Sequence, residues 1–204
     1  VILKVCLCRV GCGCEHYPMN YGCLFMGESS KEIDPSMGKA VSVEEAIEYM
    51  HKCVEAGLIP QIGRVDADPF MLGIKPEKWE RFITLCFCCP CCCIAMRNVN
   101  NFSPKIKNLM HGLDGLKIEI TDNCNGCGKC ENKCFTEAIS LVNDRAVINK
   151  DDCKGCDICA SVCPQKAIEI EVTDGNIMLE SFFTKIDAYV DIVSEGQPDK
   201  IIYP

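Results

Sequence analysis

Eight cysteines leave this chain little freedom to fold without metal. Cys124-x2-Cys127-x2-Cys130-x3-Cys134 is followed by Cys153-x2-Cys156-x2-Cys159-x3-Cys163-Pro164. The second run repeats the first at an offset of 29 residues, and Ala138-Ile139 maps onto Ala167-Ile168 at the same offset. Thiolates at these intervals have the ligand spacing of [4Fe–4S] cubanes, so two clusters and one-electron chemistry are expected. The duplication predicts a pseudo-two-fold unit.

The other twelve cysteines, of 20 in 204 residues, all precede it. They inflate the hydrophobic fraction of 48%, so metal ligation must replace part of the ordinary aliphatic core. A disulfide scaffold is the rival reading. The opening VILKVCLCRV already carries Cys6 and Cys8, and no secretory leader is expected in it. The triplet Cys91-Cys92-Cys93 suits metal better than paired bridges. A reducing cytoplasm, in an anaerobe, is the expected home. The first residue is not Met, which leaves room for an upstream segment.

A formal charge of −8 excludes a nucleic-acid footprint. An oxidised cubane with four thiolates adds roughly two more negative charges, so a redox partner is expected to dock through a basic or apolar face. No stretch reaches the length of a membrane span. No glycine-rich dinucleotide fingerprint or phosphate loop occurs, and no nucleophilic triad or paired carboxylate stands out.

The expected fold class is α+β. Residues 1–97 form a Cys-rich metal-cluster domain with one clear helix, 98–115 a linker, 116–173 a two-cluster domain, and 174–204 a helical tail suited to docking. Residues 1–27 read as a ligand loop and 28–41 as a solvated connector. The clear helix is 42–56. Ser42 and Glu45 make a capping box, Val43, Ala46, Ile47, Met50 and Val54 share an apolar face, and Gly57 follows the last turn. Residues 58–65 suggest a strand and 79–86 a strand or short helix. In the repeat, Leu116–Ile120 and 167–172 read as strands, and 139–142 with 146–148 as a hairpin about Asn143-Asp144. A stripe of Phe183, Ile186, Val190 and Val193 predicts a helix over 177–193.

Residues 116–172 resemble the bacterial two-cluster ferredoxins. In that family the fourth cysteine of each run serves the other cluster. The resemblance therefore implies one cubane on Cys124, Cys127, Cys130 and Cys163, and a second on Cys153, Cys156, Cys159 and Cys134. Gly126, Gly128 and Gly155 let the backbone aim N–H groups at sulfur. One departure stands out: Phe135 follows Cys134 where the family run has proline. A zinc ribbon also uses C-x2-C pairs, but two complete four-cysteine runs are much more specific to iron–sulfur ligation.

The cysteines at 6, 8, 12, 14, 23, 53, 86, 88, 89, 91, 92 and 93 need a separate reading. Cys53 reads as a small buried hydrophobe. Cys6, Cys8, Cys14 and Cys23, with Cys86, Cys88, Cys89, Cys91, Cys92 and Cys93, are the candidate ligands of one or two further iron–sulfur clusters. Neighbouring side chains point different ways, so the 86–93 run cannot all serve one cubane. Two clusters share it, a larger non-cubane cluster forms, some thiols are spare, or zinc or a redox disulfide occupies it. Arg9 is placed to bond cluster sulfur or to balance its charge, and His16 is a second-sphere or surface residue before it is a ligand. The region resembles a largely uncharacterised group of anaerobic iron–sulfur proteins. The shared features are C-x-C-R (residues 6–9), C…C-L-x-x-G (14–27), the helix at 42–63, and C-x-C-C-[GP]-C-C-C (86–93). No activity transfers from that resemblance.

The expected function is electron transfer within a larger anaerobic oxidoreductase complex, with single electrons relayed between the N-terminal cluster or clusters and two ferredoxin cubanes. The partners are redox subunits, and a small-molecule substrate is not expected. The alternative is a reductive enzyme, with a substrate-binding or non-cubane N-terminal cluster fed by the ferredoxin module.

Overall fold

The computed structural model describes residues 1–187. In chain order the first part holds β1 (Ile2–Leu3), α1 (Leu7–Cys12), β2 (Leu24–Met26), β3 (Gly38–Lys39), α2 (Val43–Glu55), β4 (Ile59–Gly63), α3 (Ala67–Met71), β5 (Ile83–Cys88), α4 (Ile94–Asn98) and α5 (Pro104–Lys107). Then follow β6 (Leu116–Ile120), β7 (Ile139–Val142), β8 (Arg145–Ile148), α6 (Ile158–Ser161), β9 (Ile168–Val172) and α7 (Gly175–Asp187). Helix and antiparallel sheet are mixed, as an α+β class requires. Among the described residues no helix is long and apolar enough to cross a membrane.

The first five strands form one antiparallel sheet in the order β3-β1-β2-β5-β4. Successive side chains of a strand point to opposite faces, and β5 uses both. Leu85 and Phe87 pack with Leu24, Cys53 and Leu58 beneath α2. Cys86 and Cys88 pack instead with Met96, Phe135 and Ile158. The sheet thus sends alternate residues of one strand into two separate clusters.

Helix α2 has the expected capping box, with the Glu45 N–H donating to Ser42 Oγ at 3.2 Å and the Ser42 N–H to Glu45 Oε2 at 3.0 Å. Gly57 follows at φ 77°, as a left-handed stop requires. The buried face differs from the expected one. Ala46, Tyr49, Met50 and Cys53 face the core, while Val43, Ile47 and Val54 are exposed. Tyr49 decides the rotation: its ring stands edge-on to Phe87 and Tyr21, and its hydroxyl donates to the Gly22 carbonyl at 2.8 Å. A face drawn from aliphatic residues alone leaves that aromatic anchor out.

Two further readings of the N-terminal part are corrected. Residues 1–27 are more ordered than a ligand loop, since they carry β1, α1 and β2. Residues 28–41 are a solvated connector only in part. A 3-10 turn at Glu28–Glu32 buries Ser29 and Ser30, and Ile33 joins the core of Leu3, Phe25, Leu72, Ile74 and Phe82. The two hydroxyls are tolerated inside because they donate to the Lys78 and Gly27 carbonyls, each at 2.7 Å. Residues 79–86 divide between a 3-10 turn (Pro76–Arg81) and β5. The stretch 98–115 holds short helical turns with Val99 fully buried.

The second part repeats itself in backbone conformation as well as in sequence. Left-handed residues pair at the repeat offset: Gly126 with Gly155 (φ 69° and 68°), Gly128 with Asp157 (72° and 66°), and Glu137 with Lys166 (58° and 49°). Strands β6 and β9 form an antiparallel ladder ending at Ile120 opposite Ile168. Strands β7 and β8 form the expected hairpin, with Asn143 and Asp144 both at positive φ (49° and 56°), as a tight mirror-image turn needs.

Helix α7 turns back onto the first sheet. Phe182 and Ile186 pack against Ile83, Met26 and Ile62. Of the expected stripe, Ile186 is buried and Phe183 stands edge-on to Phe182 at 5.3 Å. Val190 and Val193 lie outside the described residues.

Candidate metal centres

The folded chain sorts its cysteines into four groups. The first lines a small pocket whose walls include Cys124, Cys127, Cys130 and Cys163, with Gly128, Leu141, Ala146 and Ala167. Backbone N–H groups point at its sulfurs. Ala146 donates to Cys124 Sγ at 3.5 Å and Ala167 to Cys163 Sγ at 3.3 Å. The Ala146 N–H, with that of Gly126, holds the Cys124 thiol below its ordinary value. Burial raises Cys130, and the charges of Cys124 and Cys163 add to it.

The second group is Cys134, Cys153, Cys156 and Cys159. Burial pushes the Cys159 thiol up to about 12, with Cys156, Cys153 and Cys134 as its charged neighbours. Burial also raises Cys156, beside Cys134 and Cys153. Cys134 makes a 3.5 Å contact to the Thr136 hydroxyl. The fourth cysteine of each run therefore sits with the other run's first three. Each ring of thiols is lined by backbone donors or small residues, an environment that suits a thiolate-bound cluster.

The third group brings together Cys14, Cys89, Cys91 and Cys92. Their sulfurs all lie within 4.8 Å of one another, with Cys14 to Cys91 at 3.9 Å and Cys92 to Cys91 at 3.7 Å. Burial opposes ionisation of Cys14. The His16 N–H and the Cys92 thiol outweigh it and bring Cys14 down to about 7. His16 thus serves the site through its backbone.

The fourth group is a chain of six thiols on the other face of β5. Cys23 contacts Cys86 at 3.2 Å. Cys88 lies beside Cys86 and Cys93, and its sulfur donates to Gln61 Oε1 at 3.6 Å. Cys6 lies beside Cys8, whose charge is felt by both Cys23 and Cys93. The thiol of Cys6 draws Cys8 down to about 6, and that of Cys88 lowers Cys93. Their hydrogen-bond partners hold Cys6 and Cys23 well above the ordinary range. Ten candidate ligands from two distant segments thus converge, but into two sites. Cys88 and Cys89 part because they are neighbours at the end of a strand.

Three residues outside the cysteine set matter here. Arg9 is completely buried and donates to the carbonyls of Pro18 (2.8 Å), Phe87 (2.7 Å) and Tyr21. Burial opposes its charge, but Cys6, Cys89 and Cys88 hold it cationic, so one positive charge lies beside members of both N-terminal groups. Asp68 is raised by burial, accepts from Thr84 at 2.8 Å, and lies near Cys8, Cys23 and Cys86. Phe135, which replaces the expected proline, packs with Cys88, Cys93, Met96 and Ile158, and its carbonyl accepts from Asn100 Nδ2 at 3.0 Å. Arg9 had a sequence signal in C-x-C-R and Phe135 in the missing proline, but Asp68 had none. Cys12 lies apart, with its sulfur against Arg97 Nη1 at 3.4 Å and the Cys92 carbonyl. Cys53 is fully buried in the core.

These sites define the class of protein: an iron–sulfur electron-transfer protein. Within it, residues 123–167 match the family model of the 4Fe-4S dicluster domain and form an iron–sulfur domain of ferredoxin type that binds [4Fe–4S] clusters. No curated protein matches the chain.

Proposed function

We propose that the chain is a multi-cluster electron wire, a subunit of a larger anaerobic oxidoreductase complex in a reducing cytoplasm. One cubane rests on Cys124, Cys127, Cys130 and Cys163, and the second on Cys153, Cys156, Cys159 and Cys134. The N-terminal thiols hold one or two further clusters, with the six-thiol group as the main site. When bound, such clusters accept and release single electrons. The protein's part is to fix their positions, supply N–H donors to sulfur and exclude water. Residues 1–97 and 116–173 act as the two redox units, 98–115 joins them, and the tail beyond residue 174 serves docking.

One observation carries this reading. Cys86, Cys88 and Cys93 of the six-thiol group share a packed cluster with Cys156, Phe135 and Ile158 of the ferredoxin part. A cluster on either side would border this shared packing, as a relay needs.

The test is iron and acid-labile sulfide content with EPR during an anaerobic reductive titration. More than eight irons per chain, with magnetically coupled cubane signals, is the expected result. About eight irons and no coupling to a third centre would end the relay reading.

A further inference from the structure

We propose that Cys14, Cys89, Cys91 and Cys92 hold a single tetrahedral zinc ion and not an iron–sulfur cluster. This rests on the reading of the N-terminal thiols as metal ligands and narrows its one or two clusters to one, in the six-thiol group.

Distance carries the argument. A zinc–thiolate bond is about 2.3 Å, so four sulfurs at the corners of a tetrahedron stand about 3.8 Å apart. The sulfurs of Cys14 and Cys91 are 3.9 Å apart and those of Cys91 and Cys92 3.7 Å. All four fall within 4.8 Å of one another, the only such group of Cys, His, Asp or Glu ligand atoms among the described residues. The space they enclose fits one ion. A cubane places four irons and four sulfides between its ligands and holds their sulfurs farther apart. The same molecule supplies the contrast: Cys124, Cys127, Cys130 and Cys163 line one pocket but do not all fall within that distance of one another.

The surroundings fit a closed structural site. Cys89 and Cys92 are buried, and Cys14 is nearly so. Cys14 comes from the loop after α1, and the other three from the turn after β5, closed by the Cys93 N–H on the Cys89 carbonyl at 3.2 Å. Two segments far apart in sequence are thereby tied at one point. Four thiolates leave no open position for substrate, as in structural zinc sites. Of the divalent ions such a site meets, zinc binds more tightly than ferrous iron. Arg9, beside Cys89, offsets the surplus negative charge of a tetrathiolate.

The experiment is metal analysis of the full-length protein isolated anaerobically, wild type against Cys91→Ala. Cys91 is the exposed member of the four. The expected result is one zinc per wild-type chain, lost in the variant, with iron, sulfide and EPR signals unchanged. Absence of zinc from the wild type overturns the proposal. So does loss of about four irons with four sulfides, or of one iron without sulfide. Should the variant fail to fold, wild type produced with cobalt(II) decides: tetrahedral tetrathiolate bands are expected, and their absence overturns the site. Failure of the electron-wire reading is separately visible, as missing cubane signals in a protein that still carries its zinc.

Discussion

The Arg9 guanidinium donates to the Phe87 carbonyl at 2.7 Å across 78 residues of chain. That bond ties the first cysteine segment to β5 between the two N-terminal thiol groups. Substituting Arg9 by Met leaves the buried Phe87 carbonyl and the part-buried Pro18 and Tyr21 carbonyls without their donor and removes the positive charge beside both groups. A loss of about 3–5 kcal/mol is expected. Lysine should not rescue it, since one ammonium cannot reproduce the fork. Denaturant melts with metal analysis check this. A variant with wild-type stability and full N-terminal metal would show that the cation is dispensable.

Cys124→Ser should remove one ferredoxin cluster and spare the other. About four irons and four sulfides should be lost per chain, and EPR should keep a single uncoupled cubane signal from this part. Unchanged iron content would sink the ligand assignment.

Phe135 joins the ferredoxin part to the cysteine-rich part. Phe135→Ala should keep all ferredoxin iron and lower stability by about 2 kcal/mol, less than a fully buried phenylalanine costs because this ring is only half-buried. Magnetic coupling between N-terminal and ferredoxin signals should also weaken. Loss of iron without loss of stability would place Phe135 in cluster binding and not in the contact.

The folded protein should become less stable in alkali. Burial raises Cys53 from the ordinary thiol value of 9.0 to about 11. A group raised on folding contributes its stability in full below pH 9 and loses it as pH climbs towards 11. Urea midpoints across that window should therefore fall more steeply for the wild type than for Cys53→Ala, both carrying their metal. Equal slopes would show that Cys53 ionises as freely folded as unfolded.

The ferredoxin part was the most legible in sequence. Its hairpin, its outer strands and the repeat depend on local spacing and on turn residues such as Asn143-Asp144, which act over a few positions. The capping box of α2 was legible for the same reason. The rotation of α2 was not, because it depends on where Tyr49 meets Phe87, a contact between distant segments. Ser29 and Ser30 misled in the same way: polar residues suggest solvent, and only the fold supplies the carbonyls that admit them to the interior.

The sequence by itself determined that this chain binds metal through thiolates, how many ligands it offers and that two runs are copies of one unit, because ligand spacing and repetition are properties of the chain. Only the tertiary structure decided which cysteines meet. Alternation along β5 sends Cys86 and Cys88 to one face. Cys89, just past the strand, goes to the group beneath α2. Loop closure then brings Cys14 to the second site, and Cys6, Cys8 and Cys23 to the first. Convergence of four sulfurs on one volume depends on packing between remote segments, and no local pattern in the sequence carries it.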